Sequence, residues 1–274
     1  MKKRIGLVAG AGKFPIVLAN AANKRGIKVM TIAIKEETDP KLEAFSDKIV
    51  WFSVGELDKI VNTFIKEKIE SVFMAGKIKK TIMYSDIDLD NRLKTLLNKL
   101  ENRNDDVILN AFVSELSEHG IIVRNSAEYI PELLAPEGVL TKIRPDEQTV
   151  QDIRYGFSMA KQIAGLDIGQ TVVVKDKAVL AVEAIEGTDK AIERGGILGN
   201  GGIVVAKVAK PSQDMRFDIP VVGITTLAQL EHAKARAIVI ESGKTILLDK
   251  DELISRANDK GIAIVGIKSA EDIF

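Results

Sequence analysis

A two-domain α/β fold follows from three properties of this 274-residue sequence. Apolar runs of strand length alternate with amphipathic helical segments, a glycine-rich turn follows the first run, and turn residues interrupt both periodicities near the middle of the chain. The first half, 1–135, reads as a small open Rossmann-like sheet with nucleotide-binding character. A linker is expected over 136–146, and 147–274 reads as a mixed α/β catalytic domain.

Ile5 to Ala9 is a buried strand, Pro15 to Lys24 a helix with proline in its first turn, where a missing amide hydrogen costs nothing, and Val29 to Ile34 a second strand. Together they form a βαβ unit. Glu56 to Lys68 predicts a helix and Ser71 to Ala75 a strand; Asn91 to Leu100 and Ala111 to His119 are helical, and Gly120 to Arg124 closes the half as a strand. The junction rests on Leu134-Ala135-Pro136-Glu137-Gly138 and Ile143-Arg144-Pro145-Asp146-Glu147. Beyond it, Thr149 to Ala164 predicts a helix, and Gln170 to Lys175 and Val179 to Ile185 are strands across the polar turn Asp176-Lys177. A short helix over Lys190 to Arg194 is expected to stop at Gly195-Gly196. Ile203 to Lys207, Ile219 to Ile224, Ala237 to Glu241, Thr245 to Leu248 and Ile262 to Gly266 continue as strands, with helices near Leu227 to Ala235 and Lys250 to Lys260.

Composition excludes several classes. With 39 basic against 39 acidic residues there is no net pull toward nucleic acid, and no local basic patch compensates. The absence of cysteine removes disulfides, thiolate nucleophiles and cysteine zinc sites, which fits a reducing cytoplasm and leaves a hard, oxygen-held cation as the expected metal. Met1-Lys2-Lys3-Arg4 resembles a secretory start, but the apolar run after it is too short, so a cytoplasmic start is expected. No stretch approaches the roughly 20 apolar residues of a spanning helix, so membrane contact would be peripheral.

Two runs concentrate site chemistry. In Gln213-Asp214-Met215-Arg216-Phe217-Asp218-Ile219-Pro220 the apolar residues alternate with Asp214, Arg216 and Asp218, so a strand would put both carboxylates and the guanidinium on one face, with Pro220 at an accessible edge. A ladder of surface ion pairs explains the same pattern equally well. In Glu183-Ala184-Ile185-Glu186-Gly187-Thr188-Asp189, helix capping accounts for Thr188 or Asp189 but not for Glu183, Glu186 and the other candidate together. Gly10-Ala11-Gly12 joins the first strand to the first helix, where amides approach a phosphate, but Pro15 replaces the third glycine of the dinucleotide pattern and a ligand-free tight turn is an even alternative. The lysines of Gly76-Lys77-Ile78-Lys79-Lys80 follow a strand at the edge where open sheets bind ligands, and a solvated charge run is the plainer reading. His119 and His232 sit in amphipathic helices without partner histidines.

Asp167-Ile168-Gly169-Gln170, Val182 to Asp189, Lys210-Pro211-Ser212 with Gln213 to Pro220, and Gly223 resemble, in order and spacing, the LpxI-type UDP-2,3-diacylglucosamine pyrophosphatases. Gly10-Ala11-Gly12 with Pro15, and Gly76-Lys77, resemble that family's first domain, so the resemblance spans essentially the whole chain. It implies metal-dependent hydrolysis of a diacylated UDP-glucosamine to UMP and 2,3-diacylglucosamine 1-phosphate, a lipid A step at the cytoplasmic face of the inner membrane, with the lipid-linked product held between two domains. Mg²⁺, or Mn²⁺, is the implied cofactor, a homodimer is compatible, and a lipid-linked UDP-sugar is the implied partner. On these terms Asp218 is the main catalytic carboxylate, assisted by Asp214 and Arg216; Asp189, Asp214, Asp218 and Glu186 are metal ligands. Gly10, Gly12, Lys77, Glu183, Gly187, Thr188, Gln213 and Lys210 bind substrate. The alternatives are a hydrolase of another UDP-linked or nucleotide diphosphate and a non-catalytic nucleotide-binding regulator.

Overall fold

Continuous burial along the central strands decides the architecture, because the two large sheets are apolar on both faces and must be covered twice. The structure, a computed structural model, describes residues 4–78, 88–101 and 105–272. Lys79 and Lys80 of the basic run and the leading Met1-Lys2-Lys3 lie outside the described residues. The chain forms two compact units, Met1–Ile130 and Pro131–Phe274.

In the first unit, β1 (Arg4–Ala9) is followed by α1 (Phe14–Lys24), β2 (Lys28–Ile34), β3 (Lys48–Phe52), α2 (Leu57–Lys66), β4 (Ser71–Ala75), α3 (Asn91–Asn98), α4 (Asp105–Glu118) and β5 (Ile122–Arg124). Among the described residues the five strands pair in parallel in the order β3-β2-β1-β4-β5. The order reverses between β1 and β4, the place where doubly wound sheets open a ligand crevice at their carboxyl ends. Leu57, Ile60, Val61 and Phe64 form the buried stripe of α2, each full burial contributing about 2 kcal/mol before entropy is charged against it. Strand β3 escapes sequence reading because it is a half-exposed edge of five residues, too short to show a period.

The second unit contains β6 (Gly138–Val139), α5 (Glu147–Gly165), β7 (Thr171–Lys175), β8 (Ala178–Val182), α6 (Thr188–Gly199), β9 (Val204–Lys207), β10 (Val221–Val222), α7 (Ile224–His232), β11 (Ala237–Glu241), β12 (Ile246–Leu247), α8 (Lys250–Asp259) and β13 (Ala263–Ile267). Six of these strands form a mixed sheet, β6-β13-β11-β9-β7-β8, in which β9, β11 and β13 run parallel. Val173, Val205, Ile238, Ile240 and Ile264 enter one core with α6, α7 and α8, while Val172, Val174, Val204, Ala206 and Val239 enter another beneath α5. The expected hairpin is present: β7 and β8 are antiparallel, and the buried Asp152 of α5 accepts from the amides of Asp176 and Lys177 at 3.0 and 2.7 Å.

Four expectations are corrected. The stretch 136–146 is not a free linker, since Gly138 and Val139 add an antiparallel edge to β13 and Asp146 caps α5 through the Thr149 amide at 2.8 Å. Residues 213–219 are turns rather than a strand, because Phe217 and Asp218 donate their amides locally to the Asp214 carbonyl and no neighbouring strand receives them. Pro220, expected at an accessible edge, is buried where β10 begins. Helix α6 runs on through Gly195 and Gly196 and ends at the left-handed Asn200. Those glycines serve close packing: a Cβ on Gly195 would lie 2.4 Å from Val173 Cγ1, and one on Gly196 would lie 2.6 Å from the Ala233 Cβ.

Candidate active site

Strand register brings the two acidic runs together. Val172 of β7 lies opposite both Val182 of β8 and Ala206 of β9, so β8 and β9 end at the edge where β7 begins. Glu183 leaves β8 there, its amide donating to the Thr171 carbonyl at 2.8 Å, and Lys207 ends β9 opposite Thr171. Lys207 Nζ donates to Thr188 Oγ1 at 2.7 Å, and Thr188 donates to Glu183 Oε1 at 2.9 Å. Thr188 opens α6 after Gly187, so a lysine, a helix start and a carboxylate meet over one sheet edge. The other oxygen of that carboxylate, Glu183 Oε2, is buried and has no hydrogen-bond partner among the described residues, and the same holds for Thr171 Oγ1. A buried oxygen without a protein partner needs an explanation, a bound water or an ion being the common ones.

The loop after β9 supplies the rest. Val208 donates its amide to the Gln170 carbonyl at 3.0 Å, seating the loop beside the start of β7. Gln170 Nε2 reaches Asp218 Oδ2 at 3.3 Å, and Gln213 Nε2 donates to both that oxygen and the Asp218 carbonyl. The Gln213 amide oxygen in turn accepts from the Lys210 backbone at 2.8 Å, while Lys210 Nζ pairs with Asp167 at 2.6 Å. Asp218 is thus held by neutral amides, which orient a carboxylate without cancelling its charge. Asp214 differs: Arg216 Nε donates to it at 2.9 and 3.1 Å and Nη2 at 2.5 Å, and this hydrogen-bonded guanidinium holds its carboxyl below the ordinary aspartate range.

Glu183, Gly187, Thr188, Lys210, Gln213 and Asp218 therefore belong to one edge, with Asp214 and Arg216 in the same turn as Asp218. Glu186 is paired with Arg194 at 2.7 Å, and its own backbone amide followed by that guanidinium lowers its pKa. Asp189 is exposed in the first turn of α6, where an acid also suits the helix dipole. Thr171 and Lys207 are not among the expected site residues, and Gln170 enters the sequence reading only within a family-like segment, without a role; the available signal was their position at the ends of apolar strands.

Gly10, Gly12 and Lys77 lie in the first unit, at the switch between β1 and β4. Ala11 and Lys77 exchange main-chain hydrogen bonds at 2.7 and 3.0 Å, and Gly10 donates to the Ala75 carbonyl at 2.9 Å. A Cβ on Gly10 would stand 2.4 Å from the Lys77 carbonyl oxygen, which explains that glycine by backbone approach. Gly12 has φ +96° immediately before α1, and the Lys77 side chain is exposed at the same crevice. This is the carboxyl edge of a doubly wound sheet at its switch point, with the Gly10 and Ala11 amides already committed to the Ala75 and Lys77 carbonyls.

Fold and site together define a two-domain α/β protein with a glycine-turn edge in one unit and a carboxylate edge in the other. The chain belongs to the LpxI family: residues 4–133 match the LpxI N-terminal domain and residues 136–265 the LpxI C-terminal domain. It is 30% identical over 279 residues to UDP-2,3-diacylglucosamine pyrophosphatase LpxI of Caulobacter vibrioides, a match covering 98% of this chain and 99% of that one. Among solved structures it shows distant similarity to the ADP complex of purK, N5-carboxyaminoimidazole ribonucleotide synthetase, with 15% identity, 63% of this chain, 32% of that chain and a TM-score of 0.29. The corresponding synthetase of Staphylococcus aureus with ADP gives 16% identity, 71% and 36% coverage, and a TM-score of 0.29. The chain spans about a third of the length of those two structures, and no argument rests on them.

Proposed function

We propose that this protein hydrolyses the diphosphate of UDP-2,3-diacylglucosamine to UMP and 2,3-diacylglucosamine 1-phosphate, a step of lipid A synthesis. The observation that carries the reading is the end-to-end match to a pyrophosphatase of that substrate. The grouping of Glu183, Lys207, Gln213 and Asp218 at one sheet edge supports it, since hydrolysis of an anionic anhydride requires a carboxylate to take a proton from water and cations to offset phosphoryl charge. Asp218 is the proton acceptor in this reading, aimed by Gln170 and Gln213. Arg216 and Lys207 offset developing charge, and Lys210 and Thr188 orient the phosphoryl oxygens.

Among the described residues no group of three histidine or acidic side chains converges on a metal position. Mg²⁺ is commonly held by one or two carboxylates together with substrate phosphates and water, and the buried free oxygen of Glu183 fits that mode. Glu183 would hold the ion together with substrate phosphate and water, leaving Asp218 for the proton, with Asp214 and Glu186 occupied by their guanidiniums and Asp189 exposed. A bound Mg²⁺ would polarise the diphosphate and lower the charge barrier between it and the acids.

The same reading places the protein at the cytoplasmic face of the inner membrane as a peripheral visitor. Exposed Leu166, Ile168 and Ile185 support it, the last 93% accessible and two residues beyond Glu183. No helix among the described residues is long and apolar enough to cross a membrane. Incubation with the diacylated UDP-sugar and Mg²⁺ in oxygen-labelled water, followed by mass analysis of both products, tests the reaction. UMP and the acylated sugar phosphate are expected, with label in one of them; an intact substrate overturns the proposal.

A further inference from the structure

The carboxylate loop is anchored at both ends by a segment far from it in sequence. Glu241 ends β11 with its side chain 5% exposed, and Glu241 Oε2 accepts from the Ala209 amide at 2.9 Å. Lys161 of α5 donates to Glu241 Oε1 and Oε2 at 3.2 and 3.0 Å, and to the Ala209 carbonyl at 2.9 Å. Both polar groups of the Ala209 backbone are therefore taken by one ion pair, its carboxylate buried and its lysine side chain 28% exposed. Ala209 is where the chain leaves β9 and turns toward Lys210, Gln213 and Asp218. Lys244 pairs with Glu241 Oε1 at 2.8 Å from the outer side and is 45% exposed. At the other end of the loop, Ile246, five residues after Glu241, donates its amide to the Pro220 carbonyl at 2.8 Å and starts the pairing of β12 with β10.

We infer that Glu241 and Lys161 are positioning residues for the hydrolytic site: they clamp Ala209 so that the loop presents Asp218 at the sheet edge. A backbone hydrogen bond to neighbouring β11 main chain would fix Ala209 only if the strand continued. The side-chain clamp does the same work after β9 has ended, so the loop can leave the sheet at a defined angle. Burying the Glu241 carboxylate here costs desolvation that a purely apolar contact would avoid, which argues for a geometric rather than a stabilising purpose. The inference rests on the proposed function for its consequence and on the structure alone for the clamp.

The test uses the full-length protein as wild type, Glu241→Ala, Glu241→Gln, Lys161→Met and Lys244→Ala, with turnover of the diacylated UDP-sugar and amide hydrogen exchange of residues 208–218 measured on each. Glu241→Ala and Lys161→Met are expected to lower kcat by about 100-fold, the scale of an ångström misplacement near the chemistry, with KM changed less than about threefold. A variant combining Glu241→Ala with Lys161→Met should be no worse than either single one, because both act through Ala209. Glu241→Gln keeps an acceptor for the Ala209 amide and should recover at least about tenfold of the loss, while Lys244→Ala, which does not touch the loop, should stay within about twofold of wild type. Exchange over 208–218 should rise in Glu241→Ala and Lys161→Met without ligand present. Unchanged exchange together with kcat near wild type in folded Glu241→Ala overturns the inference; if that variant does not fold, the same result in Lys161→Met overturns it. Inactivity of the wild type with faster loop exchange in the variants would instead reject the substrate reading and leave the clamp standing.

Discussion

The two units each build an edge of loops at the ends of their strands, and they hold it by opposite means. In the first, the loops after β1 and β4 are joined by main-chain hydrogen bonds between Ala11 and Lys77, and glycines are required because two backbones touch. In the second, the loop after β9 is held by side chains: Glu241 and Lys161 at its start, Gln213 and Gln170 at Asp218. A backbone-held edge tolerates changes of charge but not of volume. A side-chain-held edge carries its chemistry in groups that isosteric substitution can remove without moving the chain.

Chelation offers the widest separation between the two edges. Excess chelator should abolish turnover, with Mg²⁺ or Mn²⁺ restoring it, while thermal unfolding of the metal-free protein stays close to that of the loaded one. Full turnover with metal content confirmed negligible would remove the cation from the carboxylate edge. Asp218→Asn comes next: a loss of about 10³-fold in kcat is expected from removing a general base, with the circular dichroism spectrum and urea midpoint unchanged. Near-normal kcat in the folded variant would move the base to another acid.

Gly10→Ala probes the backbone-held edge by volume alone. Its Cβ would meet the Lys77 carbonyl oxygen at 2.4 Å, so the two loops must part, and destabilisation of about 2 kcal/mol is expected from urea unfolding. A variant as stable as wild type would mean that the crevice between β1 and β4 yields freely, and the contrast between the edges would weaken.

Asp214→Asn should be the mildest. Asp214 and Arg216 are 24% and 38% exposed, so solvent screening limits the pair to about 1 kcal/mol or less of stability. Because Arg216 depresses the Asp214 pKa, the pair's contribution is complete at neutral pH and disappears only as pH falls below the ordinary aspartate range. Wild type and Asp214→Asn should therefore converge in stability under acid and differ slightly above it. Divergence at low pH instead would show that the pair is not the source of the difference.

Much of the fold was legible because burial on both faces imposes continuous apolar runs: β4 falls at Ser71–Ala75 as expected, and β1, β2, β11 and β13 lie within a residue or two of their apolar runs. The two runs bearing Glu183 and Asp218 were legible as candidates, and the fold brings both to the edge where β7 begins. Their shape was not legible. Alternation from Met215 to Ile219 looks like a strand, yet strand status depends on a neighbour to accept its hydrogen bonds, and the amides of Phe217 and Asp218 turn back to Asp214 instead. Gly195-Gly196 reads as a helix stop for the same reason, because the closeness of Val173 and Ala233 is not local information.

Local pattern by itself determined the alternating α/β architecture, the turn at Asp176-Lys177 and the candidate acids, because propensity and apolar period act over a few residues. Only tertiary structure decided that Val182 and Ala206 share Val172 as partner, which sets Glu183 and Lys207 at one edge. It also decided that Glu241, 32 residues beyond Ala209, closes on that residue's amide. Register and long-range clamps arise from packing two cores at once, and no short window of sequence contains both sides of such a contact.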